Sequence, residues 1–227
     1  MARAYIYGDS LLKATVPDEQ FRYHFHLPEV MERYEGRQTE VVNRSKMGAT
    51  IRKGQTLLEH DLQRGLQADY ALIAYGGNDS DFDWDAVQAH PGENHLPRTT
   101  LADFKEILVK MLRELKDKGV QPVLMTLPPI DAQRYLDFLC RAERSRERIM
   151  DWLGDTQRIY RHQELYSDTV AHLAYETGTP LIEVRESFLN EKRLPGLIAS
   201  DGIHLTMEGY TKLFDTLAGW LRGKIMH

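Results

Sequence analysis

A chain of 227 residues with one cysteine, Cys140, cannot form an intramolecular disulfide, so packing alone must hold it together. Long apolar runs are also missing. None approaches the roughly 18 to 20 residues that a membrane-spanning helix requires, and the first residues read straight into a strand, with no charged region, apolar stretch and cleavage site before it. The expected location on this reading is cytoplasmic. Basic residues are not in excess: Lys plus Arg number 29 against 34 for Asp plus Glu, leaving a formal charge of -5. That balance speaks against a nucleic-acid partner, which needs a clustered basic footprint. No His-Glu-x-x-His or Cys-x-x-Cys occurs, so no metal site is expected. Neither a Gly-x-Gly-x-x-Gly nor a Walker sequence is present to cradle a phosphate, and no repeat or low-complexity segment interrupts the chain.

What the chain does have is alternation. With 42% hydrophobic residues it can bury one substantial core, and residues 1–227 are expected to form a single domain. Ala4-Tyr5-Ile6-Tyr7 and Thr39-Glu40-Val41-Val42-Asn43 read as short strands. Tyr70-Ala71-Leu72-Ile73-Ala74-Tyr75 is apolar almost throughout, as expected of a central strand covered on both faces of a parallel sheet. Val120–Thr126, stopped by Pro128-Pro129, and Pro180–Val184 supply the fourth and fifth.

Helical spacing fills the intervals. Leu57, Leu58, Leu62 and Leu66 recur as on an amphipathic helix that ends near Gly65 or Ala68. Thr99 or Thr100 can cap a helix whose stripe runs from Leu101 to Leu115 and closes at Gly119. Two further helices are expected over 156–177 and 206–221. The stretch from Ala14 to Tyr34 is mixed, with a short helix entering near Leu27 and ending at Gly36. From Ile130 to Gly154 arginines alternate with glutamates, which suits a solvated helix face better than an anion site. Strands alternating with helices give an α/β fold, a three-layer αβα sandwich with about five parallel strands, of the flavodoxin-like kind.

Ligands of such sheets bind beyond the carboxyl ends of the strands. At that edge the first strand breaks into Gly8-Asp9-Ser10, and a serine hydroxyl becomes a useful nucleophile only when a base removes its proton. Of nine histidines only His204 stands in a suitable setting, Asp201-Gly202-Ile203-His204-Leu205, immediately before the last helix. A turn there can bring Asp201 to the inner imidazole nitrogen, where it would fix the tautomer and stabilise the imidazolium. Asp-Gly also makes ordinary turns, and His204 packed under the last helix is the competing reading.

Four separated stretches match one pattern in order: Gly8-Asp9-Ser10-Leu11, Asn43 with Gly48, Gly76-Gly77-Asn78-Asp79, and Asp201 to Leu205. On these the chain resembles the SGNH, or GDSL-type, hydrolase superfamily, with one departure, since Ser45 stands where the second block often has glycine. The resemblance implies a serine esterase with Ser10 as nucleophile, His204 as general base and Asp201 as its orienter. It also implies an oxyanion hole of the Ser10 and Gly48 backbone N–H groups and the Asn78 side chain, and no cofactor. Asp9 and Asp79 are read as loop braces.

The substrate implied is a small-molecule ester, with an O-acetylated sugar as the candidate. Lysophospholipase or thioesterase activity, or a silent carbohydrate-binding relative, are the alternatives. A flavodoxin-like binding domain would share the sheet, but its flavin or nucleotide site needs a phosphate-cradling loop, which this chain lacks. Trp84, His95 and Arg98 after Asn78, and Tyr135 and Phe138 after Pro129, are expected to shape the pocket as loops on that edge.

Overall fold

The apolar runs pair as their composition requires. The computed structural model describes residues 2–32, 34, 39–141 and 143–225. In chain order the elements are β1 (Ala2–Gly8), a 3-10 turn at Leu11–Lys13, β2 (Thr15–Pro17), β3 (Tyr23–Phe25), α1 (Leu27–Glu32), β4 (Thr39–Asn43), α2 (Ile51–Gln63) and β5 (Tyr70–Ala74). There follow α3 (Trp84–Ala89), α4 (Leu101–Asp117), β6 (Gln121–Met125), α5 (Ala132–Leu139), α6 (Arg146–Leu153), α7 (Gln157–Thr177), β7 (Leu181–Ile182), α8 (Val184–Leu189), α9 (Leu194–Leu197) and α10 (Met207–Ile225).

Five strands form a parallel sheet in the order β4-β1-β5-β6-β7, so the most apolar strand, β5, lies in the middle. Successive side chains of a strand point to opposite faces. Ile73 accordingly joins the core under α2, α4 and α7, and Leu72 joins the core under α1, α8 and α10. Burial on both faces makes the expected three-layer sandwich. Thr100 caps α4: its hydroxyl accepts from the Asp103 N–H at 3.2 Å and donates to the Asp103 carboxylate at 2.8 Å.

Three stretches differ from their sequence reading. Residues 15–25, read as mixed, form the antiparallel hairpin β2–β3. The helix stop expected at Gly36 lies outside the described residues. The long segment after Asn78 carries α3, and the charged stretch after Pro129 folds into α5 and α6 over an aromatic cluster that includes Phe82, Trp84, Tyr135 and Trp152.

The arginines of that charged stretch do more than face solvent. Arg144 pairs with Asp85 at 2.7 Å, while Arg148 donates to the carbonyls of Gln88 and Ala89. The two segments are thereby stitched together above the carboxyl edge of the sheet. Among the described residues no helix is long and apolar enough to cross a membrane.

Candidate active site

β1 ends at Gly8, and the chain turns at once into a 3-10 turn headed by Ser10. The Ser10 carbonyl accepts from the Thr15 hydroxyl at 2.8 Å, which locks this turn to the start of β2. Asn43 braces it from the neighbouring strand, donating through Nδ2 to the Leu12 carbonyl at 2.7 Å and accepting from the Ser45 N–H at 2.9 Å. Ser45 Oγ would stand 3.1 Å from a Cβ on residue 8, so the serine that replaces the usual glycine packs against Gly8.

Asp201 and His204 come from the turn before α10. Asp201 Oδ1 accepts the backbone N–H groups of Ile203 at 3.2 Å and His204 at 3.0 Å, an Asx-type turn that winds the imidazole back over the carboxylate. Gly202 permits this with φ +79°, and a Cβ there would overlap the backbone of Asp131 and Tyr135 at the start of α5.

The second carboxylate oxygen of Asp201 lies 2.6 Å from His204 Nδ1, and His204 Nε2 lies 2.9 Å from Ser10 Oγ. With Nδ1–H donating to Asp201, the Nε2 lone pair faces the serine hydroxyl. All three residues are buried. Burial alone would push Asp201 up, but the bonds from His204 and from the turn hold it below the ordinary carboxylate range.

Asn78 follows β5 on the same edge. Its Nδ2 donates to Asp9 Oδ2 at 3.1 Å and to the Ala49 carbonyl at 3.2 Å, so both amide hydrogens are engaged in the free protein. Gly48 sits in the turn next to Ala49 with φ +66°; it is exposed, and a Cβ on it would meet nothing. Glycine adopts this left-handed backbone freely. Lys46 N–H donates to the Gly8 carbonyl at 3.1 Å, anchoring the same loop to the end of β1.

Asp9 and Asp79 brace loops. Asp9 accepts from the Leu11 N–H at 3.0 Å as well as from Asn78, and Asp79 accepts the Ile51 N–H at the start of α2 at 3.0 Å. Burial pushes each of them up to about 6.

Tyr23 was not anticipated. From β3 its ring packs on the His204 imidazole, centroids 5.0 Å apart. Burial, and then the neighbouring Asp201 carboxylate, raise its phenol above the ordinary tyrosine range. The available signal was the turn former Pro17-Asp18 between Thr15-Val16 and Tyr23-His24-Phe25.

Beside Ser10 and His204 opens a cavity of about 80 Å³ whose apolar wall includes Leu11, Trp84, Leu127, Ile130, Tyr135 and Ile159. Trp84 and Tyr135 thus reach the pocket as expected. His95 instead packs on Trp152, and Phe138 stacks on Tyr135 and Phe21. Among the described residues no cluster of three or more His, Cys, Asp or Glu is placed to hold a metal ion.

The chain is 23% identical over 216 residues to the isoamyl acetate-hydrolyzing esterase of Saccharomyces cerevisiae, covering 93% of this chain and 82% of that protein. The lipase/acylhydrolase of Enterococcus faecalis shares the fold with a TM-score of 0.66 at 20% identity, covering 99% of this chain and 97% of the other. An acetylxylan esterase from Geobacillus stearothermophilus, solved as a catalytic mutant, matches with a TM-score of 0.66 at 17% identity over 95% and 92% of the two chains. The model of the GDSL-like Lipase/Acylhydrolase family matches residues 6–212, nearly the whole chain, and this protein is therefore a hydrolase belonging to that family.

Proposed function

We propose that this enzyme cleaves small carboxylic esters through an acyl intermediate on Ser10. The observation that carries the reading is the unbroken run of contacts from Asp201 through His204 to Ser10 Oγ, at 2.6 and 2.9 Å. Ser10 Oγ attacks the ester carbonyl while His204 Nε2 takes its proton, and Asp201 stabilises the resulting imidazolium. The Ser10 and Gly48 N–H groups and the Asn78 amide receive the tetrahedral oxyanion, which competes with Asp9 for one amide hydrogen. Collapse expels the alcohol, protonated by His204. Water, deprotonated in turn by His204, releases the acid and restores Ser10. Every proton in this cycle passes through groups of the chain, so the reaction requires no cofactor.

The acyl group is short, acetyl on a sugar or other polar alcohol being the favoured substrate. A cavity of about 80 Å³ supports this, since an engineered cavity of roughly 150 Å³ is filled by benzene. Two similar proteins act, by name, on acetate esters of an alcohol and of xylan. Long-chain lysophospholipid or thioester substrates need a larger apolar wall.

Treatment with a fluorophosphonate probe tests the nucleophile. The wild-type protein is labelled and Ser10→Ala is not, with kcat on p-nitrophenyl acetate reduced by about 10⁴ to 10⁶. Labelling that persists in Ser10→Ala removes the proposal.

A further inference from the structure

A carboxylate is a costly thing to place in an apolar wall, yet Asp81 lines the cavity beside Ser10 and His204. Its side chain is mostly buried, and its facing cation, Arg98, stands 3.5 Å away and half-exposed. Burial raises its pKa above the ordinary carboxylate range. What it gains is two donors on one atom. Oδ1 accepts from the indole Nε1 of Trp84 at 2.8 Å and from the hydroxyl of Tyr135 at 2.9 Å.

These two rings belong to separate segments, Trp84 to α3 and Tyr135 to α5. They meet edge to face, centroids 6.3 Å apart with planes at 77°, and both are buried. A single oxygen therefore sets the positions of two large side chains in the wall of one small cavity. Charge-assisted bonds of this kind are about twice as strong as neutral ones, and close packing leaves neither ring room to swing aside.

Resting on the reading of Ser10 as nucleophile, we infer that Asp81 is a specificity-determining residue: it holds Trp84 and Tyr135 as a fixed end wall that limits the acyl group to roughly two to four carbons. Asp81 touches no reacting atom. It acts through the two rings, by denying space to longer chains.

The experiment is the ratio of kcat/KM for p-nitrophenyl octanoate to that for p-nitrophenyl acetate. The ratio is low in the wild type and rises about tenfold or more in Asp81→Ala, because one methylene in an apolar pocket changes kcat/KM by about 10- to 200-fold. Tyr135→Phe and Trp84→Phe each remove one donor while keeping an aromatic ring, and each raises the ratio by a smaller factor. A folded Asp81→Ala with the wild-type ratio overturns the inference. If Asp81→Ala does not fold, wild-type ratios in both single-donor variants overturn it equally.

The outcome is separable from that for Ser10. A wild-type enzyme that is labelled by fluorophosphonate and cleaves acetate, but whose ratio no variant moves, retains the nucleophile and loses the end wall. A wild type that is neither labelled nor active on any chain length overturns both.

Discussion

Asn78 and Asp9, 69 residues apart in the chain, are joined by a bond of 3.1 Å from the side-chain amide to the carboxylate. Together with the Ala49 carbonyl it decides which way the Asn78 amide faces, since only the NH₂ end can meet either oxygen. Asp9→Asn would set a second amide against it while the Leu11 N–H still requires an acceptor. Asn78 then either turns its carbonyl inward, giving up the Ala49 bond as well, or keeps the Ala49 carbonyl and loses Asp9. Steady-state kinetics of Asp9→Asn should show kcat lower by about 10² to 10³, as for loss of one oxyanion donor, with KM changed much less.

Asp79 yields a prediction in pH. Its carboxyl keeps its proton to about pH 6 in the fold, whereas the unfolded chain releases it near the ordinary value of about 4. Between these values the native state binds more protons than the unfolded one, so this group's contribution to stability falls as pH rises. The full difference is roughly 3 kcal/mol. Thermal melts of Asp79→Asn and wild type should therefore diverge with pH. The variant gains several degrees relative to wild type between pH 4 and pH 8, and a constant offset across that range would contradict the assignment.

Gly202 is the hinge of the Asp201–His204 turn. Gly202→Ala combines a left-handed backbone with overlap against the backbone of α5, which cannot move aside as a flexible side chain would. Overpacking of this sort costs about 1 to 3 kcal/mol, with strain of φ in addition. A lower melting temperature and loss of most esterase activity are expected together, because the displaced backbone carries both Asp201 and His204.

Much of this was legible in the residues. The apolar run Tyr70–Tyr75 could only be a strand covered on both faces, and it is the middle strand of the sheet. Ser10, Asp201 and His204 were readable because they follow a strand or precede a helix at one sheet edge, where the topology gathers them, and Asn78 was readable through the family resemblance of its Gly76-Gly77-Asn78-Asp79 block. Tyr23 and Asp81 were not. Tyr23 packs on His204 from the far end of the chain and Asp81 ties its neighbour Trp84 to Tyr135, 54 residues on, and hairpin strands of three residues carry too short a pattern to register. The arginines of 141–148 fit a solvated face by their spacing, and only tertiary structure shows Arg144 and Arg148 spent on the segment around α3. The left-handed φ of Gly48 is likewise visible only in the folded loop.

The 194 residues that separate Ser10 from His204, together with the bond from the Tyr210 hydroxyl to the Thr15 carbonyl at 2.7 Å, give the enzyme an intrinsic safeguard. On the proposed roles, a chain still being synthesised would hold Ser10 long before His204 and would lack the base that activates it. Turnover would then begin only once the turn after β1 meets the turn before α10, which would make the appearance of hydrolysis during refolding a clock for the arrival of the native state.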